Sequence, residues 1–124
     1  DQQAYDKAEQ AFQHCLKIQP EDGAACLGLG NVYKRQEDFE QAILYLEKAL
    51  ELRPDYAEAH HNLGVCLRMK NQPGKAIRHY ERARQLGLDR AELYQNMAST
   101  QVDTQNIDAA IKGYRMAMGT GISG

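Results

Sequence analysis

The chain repeats itself every 34 residues, and that period limits its possible folds more than any other feature. Ala8, Ala42, Ala76 and Ala110 fall in step, with no insertion or deletion between them. Four residues after each alanine comes a bulky side chain: Phe12, Leu46, Tyr80 and Tyr114. Three residues further on come small ones: Cys15, Ala49, Ala83 and Ala117. Upstream, Leu29, Leu63 and Met97 align, each followed by a small residue, Gly30, Gly64 or Ala98. Residue size recurring at fixed offsets marks a stacked repeat architecture. No unit can bury its apolar face alone, so each buries it against its neighbours.

Each period reads as two amphipathic helices. Ala42, Ile43, Leu46, Ala49 and Leu50 lie at helical spacing, and Cys26, Leu29, Gly30 and Tyr33 share one face of the preceding segment. A glycine inside a helix costs roughly 1 kcal/mol relative to alanine. Gly30 and Gly64 therefore imply a close helix approach, with Leu46 or Tyr80 reaching into the space. Pro20 and Pro54 stop helices, Asp38 and Asn106 are placed to cap them, and Pro73 suits a first turn. Where the third unit lacks the proline, Gly87 can end the helix in a left-handed cap. The expected organisation is one domain, 1–124. Residues 1–22 form a half repeat holding only a second helix (6–19). Three units follow: 23–56 (helices 23–36 and 39–52), 57–90 (helices 57–70 and 73–86) and 91–124 (helices 91–104 and 107–119, then a flexible tail). On this reading the chain is a piece of a longer array with apolar edges at both ends.

Composition narrows the function classes. Hydrophobic residues make up 43% and charged residues 26%, as in ordinary globular proteins. The formal net charge of −2 argues against nucleic-acid binding, which needs an excess of Lys and Arg to offset phosphate. No apolar run approaches the roughly 18 residues of a membrane span. Cys15, Cys26 and Cys66 form no CxxC pair and sit among apolar residues, so all three are expected to be buried, reduced thiols, which suits a cytoplasmic setting.

These residues resemble the tetratricopeptide repeat family, whose 34-residue unit reads W-x2-L-G-x2-Y, then A-x3-F, then P. Here the pattern is Cys26-x2-Leu29-Gly30-x2-Tyr33, Ala42-x3-Leu46 and Pro54, then His60-x2-Leu63-Gly64-x2-Leu67 and Ala76-x3-Tyr80, then Tyr94-x2-Met97-Ala98 and Ala110-x3-Tyr114. The leading tryptophan is absent throughout. The resemblance implies an all-α fold, a right-handed superhelical array of antiparallel helix pairs of about three and a half repeats. It also implies that the first helix of each pair lines a concave groove used for protein partners.

Offsets from the repeat glycine then nominate groove residues: Asn31, Lys34, Arg35, His61, Asn62, Arg68, Gln95 and Asn96. Asn62 and Asn96 are similar to the asparagine ladder in the repeats of O-linked N-acetylglucosamine transferase and kinesin light chain, although Gly28 stands where a third rung would be. A carboxamide both donates and accepts, so it can hold an extended peptide backbone without reading its sequence. The family's clamp for chaperone C-terminal carboxylates maps onto Leu27, Asn31, Asn62, Glu92 and Asn96; the cations are missing, which argues against that role. Lys34, Arg35 and Arg68 could instead favour an acidic segment of a partner, with Glu58 and Glu92 making the groove electrically polar.

The sequence offers little for catalysis. His60 and His61 are adjacent and point to different helix faces, so no metal site is expected. No nucleophile elbow, phosphate loop or H-E-x-x-H occurs. The expectation is a non-catalytic binding scaffold for a partner protein or peptide, without cofactor, nucleic acid or membrane insertion. Two alternatives stand beside it: self-assembly of the chain through its exposed repeat edges, and a substrate-recruiting arm of a larger enzyme such as a glycosyltransferase.

Overall fold

The computed structural model describes residues 1–119, with side-chain detail through residue 108 and at residue 111. The described chain is helical throughout: α1 (Gln2–Ile18), α2 (Gly23–Arg35), α3 (Phe39–Leu52), α4 (Ala57–Met69), α5 (Pro73–Gln85) and α6 (Ala91–Gly119). Neighbours in sequence pack on one another, and α2 also touches α4, as α4 touches α6. The first helices of successive units thus lie side by side, with the second helices behind them. The tail expected to be flexible, 120–124, lies outside the described residues.

The helix ends follow from local chemistry. Asp1, Asp22 and Asp38 cap α1, α2 and α3, each carboxylate accepting from the backbone N–H three residues on. α1 begins at Gln2, with Asp1 at its cap position, earlier than its apolar pattern suggests. α2, α4 and α5 all finish in the same reverse turn. In each, a residue of positive φ follows the helix: Glu37 (62°), Asn71 (64°) and Gly87 (100°). The next residue's N–H then returns to a carbonyl five positions back: Asp38 to Tyr33, Gln72 to Leu67 and Leu88 to Ala83. Two of these turns leave room for the following helix to fold back at once.

The core lies between the two helices of each unit. Ala42, Leu46 and Ala49 of α3, and Ala76, Tyr80 and Ala83 of α5, are fully buried. A Cβ added at Gly30 would lie 2.6 Å from Leu46 Cγ, and one at Gly64 would lie 2.6 Å from Tyr80 Cε1. The recurring glycine is therefore a seat for the bulky residue of the second helix, as the period implies.

The last unit departs from expectation. No turn forms near residue 105, Asn106 caps nothing, and α6 runs unbroken for 29 residues instead of dividing into two helices. Two local features disfavour the hairpin. Gln105 stands where Glu37 and Asn71 take positive φ, a conformation that costs a non-glycine residue about 1–2 kcal/mol. Ala98 stands where Gly30 and Gly64 leave the space that Leu46 and Tyr80 fill. With the turn strained and the seat half-filled, continuing the i→i−4 ladder is the better solution.

The cysteine expectation also needs correction. Cys26 and Cys66 are buried, but Cys15 is exposed. Its equivalents, Ala49 and Ala83, are fully buried in units whose first helix is present. Among the described residues α1 packs against α2 alone, and α1 buries none of its residues.

Candidate functional site

The face formed by the first helices holds a polar cavity of about 150 Å³, lined by Asn31, Lys34, Arg35, Glu58, His61, Asn62, Arg90 and Glu92. Asn31, Lys34 and Arg35 come from α2, Glu58, His61 and Asn62 from α4, Glu92 from the start of α6, and Arg90 from the turn before it. The helical repeat and the pairing of first helices bring them together: residues three and four apart on α2 and α4 share a face and meet across the α2–α4 contact.

Hydrogen bonds fix this arrangement. Lys34 Nζ donates to Asn62 Oδ1 at 3.2 Å, leaving the Asn62 NH2 group free to donate. Asn96 Nδ2 donates to His61 Nε2 at 3.0 Å, which places the His61 proton on Nδ1 and leaves Asn96 Oδ1 as an acceptor. Arg90 is paired with Glu58. Burial holds the Lys34 ammonium below its ordinary pKa, against the partly restoring pull of Glu92 and Glu58. Burial also lowers His61, so the imidazole is neutral near pH 7.

Five of the eight nominated residues, Asn31, Lys34, Arg35, His61 and Asn62, line this one cavity. Asn96 stands behind it, joined through His61, and Gln95 is exposed outside it. His61 is a supporting residue more than an open contact, since it is only 3% exposed and its ring tilts against Tyr80 at 5.8 Å. Arg68 does not join Lys34 and Arg35. Its Nε bonds Asp103 Oδ2 at 2.6 Å, and both line a separate cavity of about 300 Å³ with Asn71, Pro73, Asn106 and Ile107. The missing rung at Gly28 has a steric cause, because a Cβ there would lie 2.8 Å from Phe12 Cδ1 and nearer still to the rest of the ring edge.

Sequence reasoning missed two features. Arg90 enters the cavity from a helix-capping position, one period after Tyr56, where a groove role has no periodic signal. On the opposite side, His60 and His79 stack with Nδ1 atoms 3.0 Å apart. His60 Nε2 donates to the Pro54 carbonyl at 3.0 Å, so in the neutral pair His79 Nδ1–H donates to His60 Nδ1. The 19 residues between them gave no hint of the contact. Among the described residues no three His, Cys, Asp or Glu side chains cluster as a metal centre would require, and no helix is long and apolar enough to cross a membrane.

Comparison with known proteins bears on the fold directly. Residues 21–89 match one sequence profile described as tetratricopeptide repeat, and residues 1–22 match a second. No curated protein matches the chain. Among solved structures, it is similar to the first TPR of Spaghetti (RPAP3) bound to the HSP90 peptide SRMEEVD. The TM-score is 0.79 at 19% identity, covering 84% of this chain and 82% of that one. At that identity the likeness is one of fold.

Proposed function

Because the chain belongs to the tetratricopeptide repeat family, we propose that it is a protein-interaction module whose concave face binds an extended, acidic segment of a partner. The carrying observation is that Lys34 and Arg35 open onto one small polar cavity with Asn31 and Asn62. Among the described residues neither cation has a carboxylate partner, whereas Arg68, Lys70, Arg84 and Arg90 all do. A half-buried, unpaired ammonium gains most from an incoming carboxylate, because charge-assisted bonds are strongest where water is partly excluded. The free Asn62 NH2 group is suited to a C=O of an extended backbone. Glu58 and Glu92 line the same cavity from α4 and α6, so the occupant would carry its negative charge toward α2. The solved structure of similar fold was obtained with a peptide that is itself acidic, SRMEEVD.

The test is a peptide array of acidic and neutral heptamers, SRMEEVD among them, probed with the wild-type chain and with a Lys34→Ala/Asn62→Ala variant of equal helicity. Acidic peptides that bind the wild type at least about tenfold more tightly than the variant, with binding weakened by salt, support the reading. An array on which the two proteins behave alike would remove the groove as the binding surface.

A further inference from the structure

The unbroken α6 leaves a place unfilled. In the two complete units the second helix covers one stripe of the first. On α2 that stripe includes Cys26 and Gly30, and on α4 it includes His60, Gly64 and Leu67, all buried. The equivalent stripe on α6 is open: Tyr94 is 44% exposed, and Ala98 and Gln101 are exposed as well. The neighbouring stripe of α6, Leu93, Met97 and Thr100, is buried. Only the seat for a second helix is empty. The sequence that should fill it is present in the same chain. Residues 107–119 carry Ala110, Tyr114 and Ala117 in step with Ala76, Tyr80 and Ala83. Ile107 and Ile111 are exposed, where their equivalents Phe39 and Ile43 are half-buried. A straight helix cannot fold this segment back onto its own first half.

We infer that two copies of this chain exchange their α6 helices: residues 107–119 of each copy take the seat on residues 91–104 of the other. Two antiparallel helices related by a two-fold axis near residue 105 satisfy both seats at once, as an isologous contact requires. Size agrees with this pairing. At 1.5 Å per residue each half-helix presents a face roughly 20 Å long and about 10 Å wide. Four such faces bring the contact to the order of the ~1,000 Å² that specific interfaces bury. Between copies, no short turn fixes the helix spacing, so the pair can open enough to admit the Ala98 methyl group that the hairpin would crowd.

The experiment is sedimentation equilibrium of the 124-residue chain over roughly 1–500 µM, the range an interface at the small end of the specific class makes informative. A reversible dimer is expected. Ala98→Arg sets a bulky cation on a residue that is exposed in the monomer and that the partner's helix would cover. It should weaken the dimer at least about tenfold while leaving helicity unchanged. Ala98→Gly/Gln105→Gly reopens the seat and removes the penalty on positive φ together, and should shift the chain toward a monomer with a closed hairpin, whereas Gln105→Ala should not. A chain monomeric throughout the range overturns the inference. So does a dimer that ignores either Ala98→Arg or Ala98→Gly/Gln105→Gly, since such a dimer forms through another surface.

Discussion

Replacing Gly64 by alanine sets two effects of opposite sign against each other, and the structure decides which wins. Gly64 lies inside α4. Propensity alone says that alanine there stabilises the helix by roughly 0.5–1 kcal/mol. The new Cβ, however, would lie 2.6 Å from Tyr80 Cε1 and 2.8 Å from Tyr80 Cδ1, well inside van der Waals contact. The Tyr80 ring is fully buried and has His61 against it at 5.8 Å, so it cannot swing aside without moving a second ring. Overpacking of this kind costs about 1–3 kcal/mol. The net expectation is a loss of about 1–2 kcal/mol, or a fall of several degrees in Tm for a chain of this size. The assay is urea unfolding followed by circular dichroism, with an unchanged denaturant slope showing that the transition keeps its character. Gly74→Ala is the internal control: nothing lies within 4 Å of a Cβ there, so the same substitution should stabilise by up to about 1 kcal/mol. Shortening the ring in a Tyr80→Val background should reduce the Gly64→Ala penalty. If Gly64→Ala proves as stable as wild type while Gly74→Ala gains, the close-packing account of the repeat glycine is wrong.

Three other expectations come from buried polar and thiol groups. The Tyr80 hydroxyl is buried without a hydrogen bond of normal geometry among the described residues, since the nearby Thr100 hydroxyl is spent on the Asn96 carbonyl, and burial pushes its pKa up to about 12 against a weak opposing pull from Thr100. Tyr80→Phe should therefore raise stability by about 1 kcal/mol in the same unfolding assay, and a loss would show that the hydroxyl is satisfied. Burial lowers the pKa of His61, and burial and then His60 lower that of His79, so the folded chain binds fewer protons than the unfolded one near their ordinary value of 6.5. The stability they contribute is complete above pH 6.5 and is lost as pH falls through the depressed values. The urea midpoint should drop between pH 7 and pH 5, less steeply in His79→Gln, and parallel profiles would count against a neutral His79. A thiol reagent at neutral pH should modify Cys15 alone in the native chain and all three cysteines in denaturant, because Cys26 and Cys66 are buried and burial raises Cys66 to about 11. Rapid native reaction of two or more thiols would contradict the packing of α2 and α4.

The polar cavity was readable in part. Asn31, Lys34, Arg35, His61 and Asn62 converge as their offsets from Gly30 and Gly64 imply, because equal positions in equal units must lie on one face. Arg68 carried the same periodic signal yet went elsewhere, since Asp103 of α6 captures it. Which cations an acid neutralises depends on the neighbouring unit, and offsets within a unit do not report that. The His60–His79 contact and the entry of Arg90 into the cavity escaped for the same reason.

The sequence by itself determined the unit: its 34-residue length, the apolar stripes, the cap at Asp38, and the glycine seats for Leu46 and Tyr80. These follow from interactions within one turn or one hairpin, where spacing along the chain is spacing in space. The tertiary structure alone decided whether each unit closes. Glu37 accepts positive φ because Leu46 fills the place at Gly30, and Ala98 denies the last unit that compensation. A strained turn persists only where packing beyond it outweighs its cost, and the balance becomes visible only once both helices have positions.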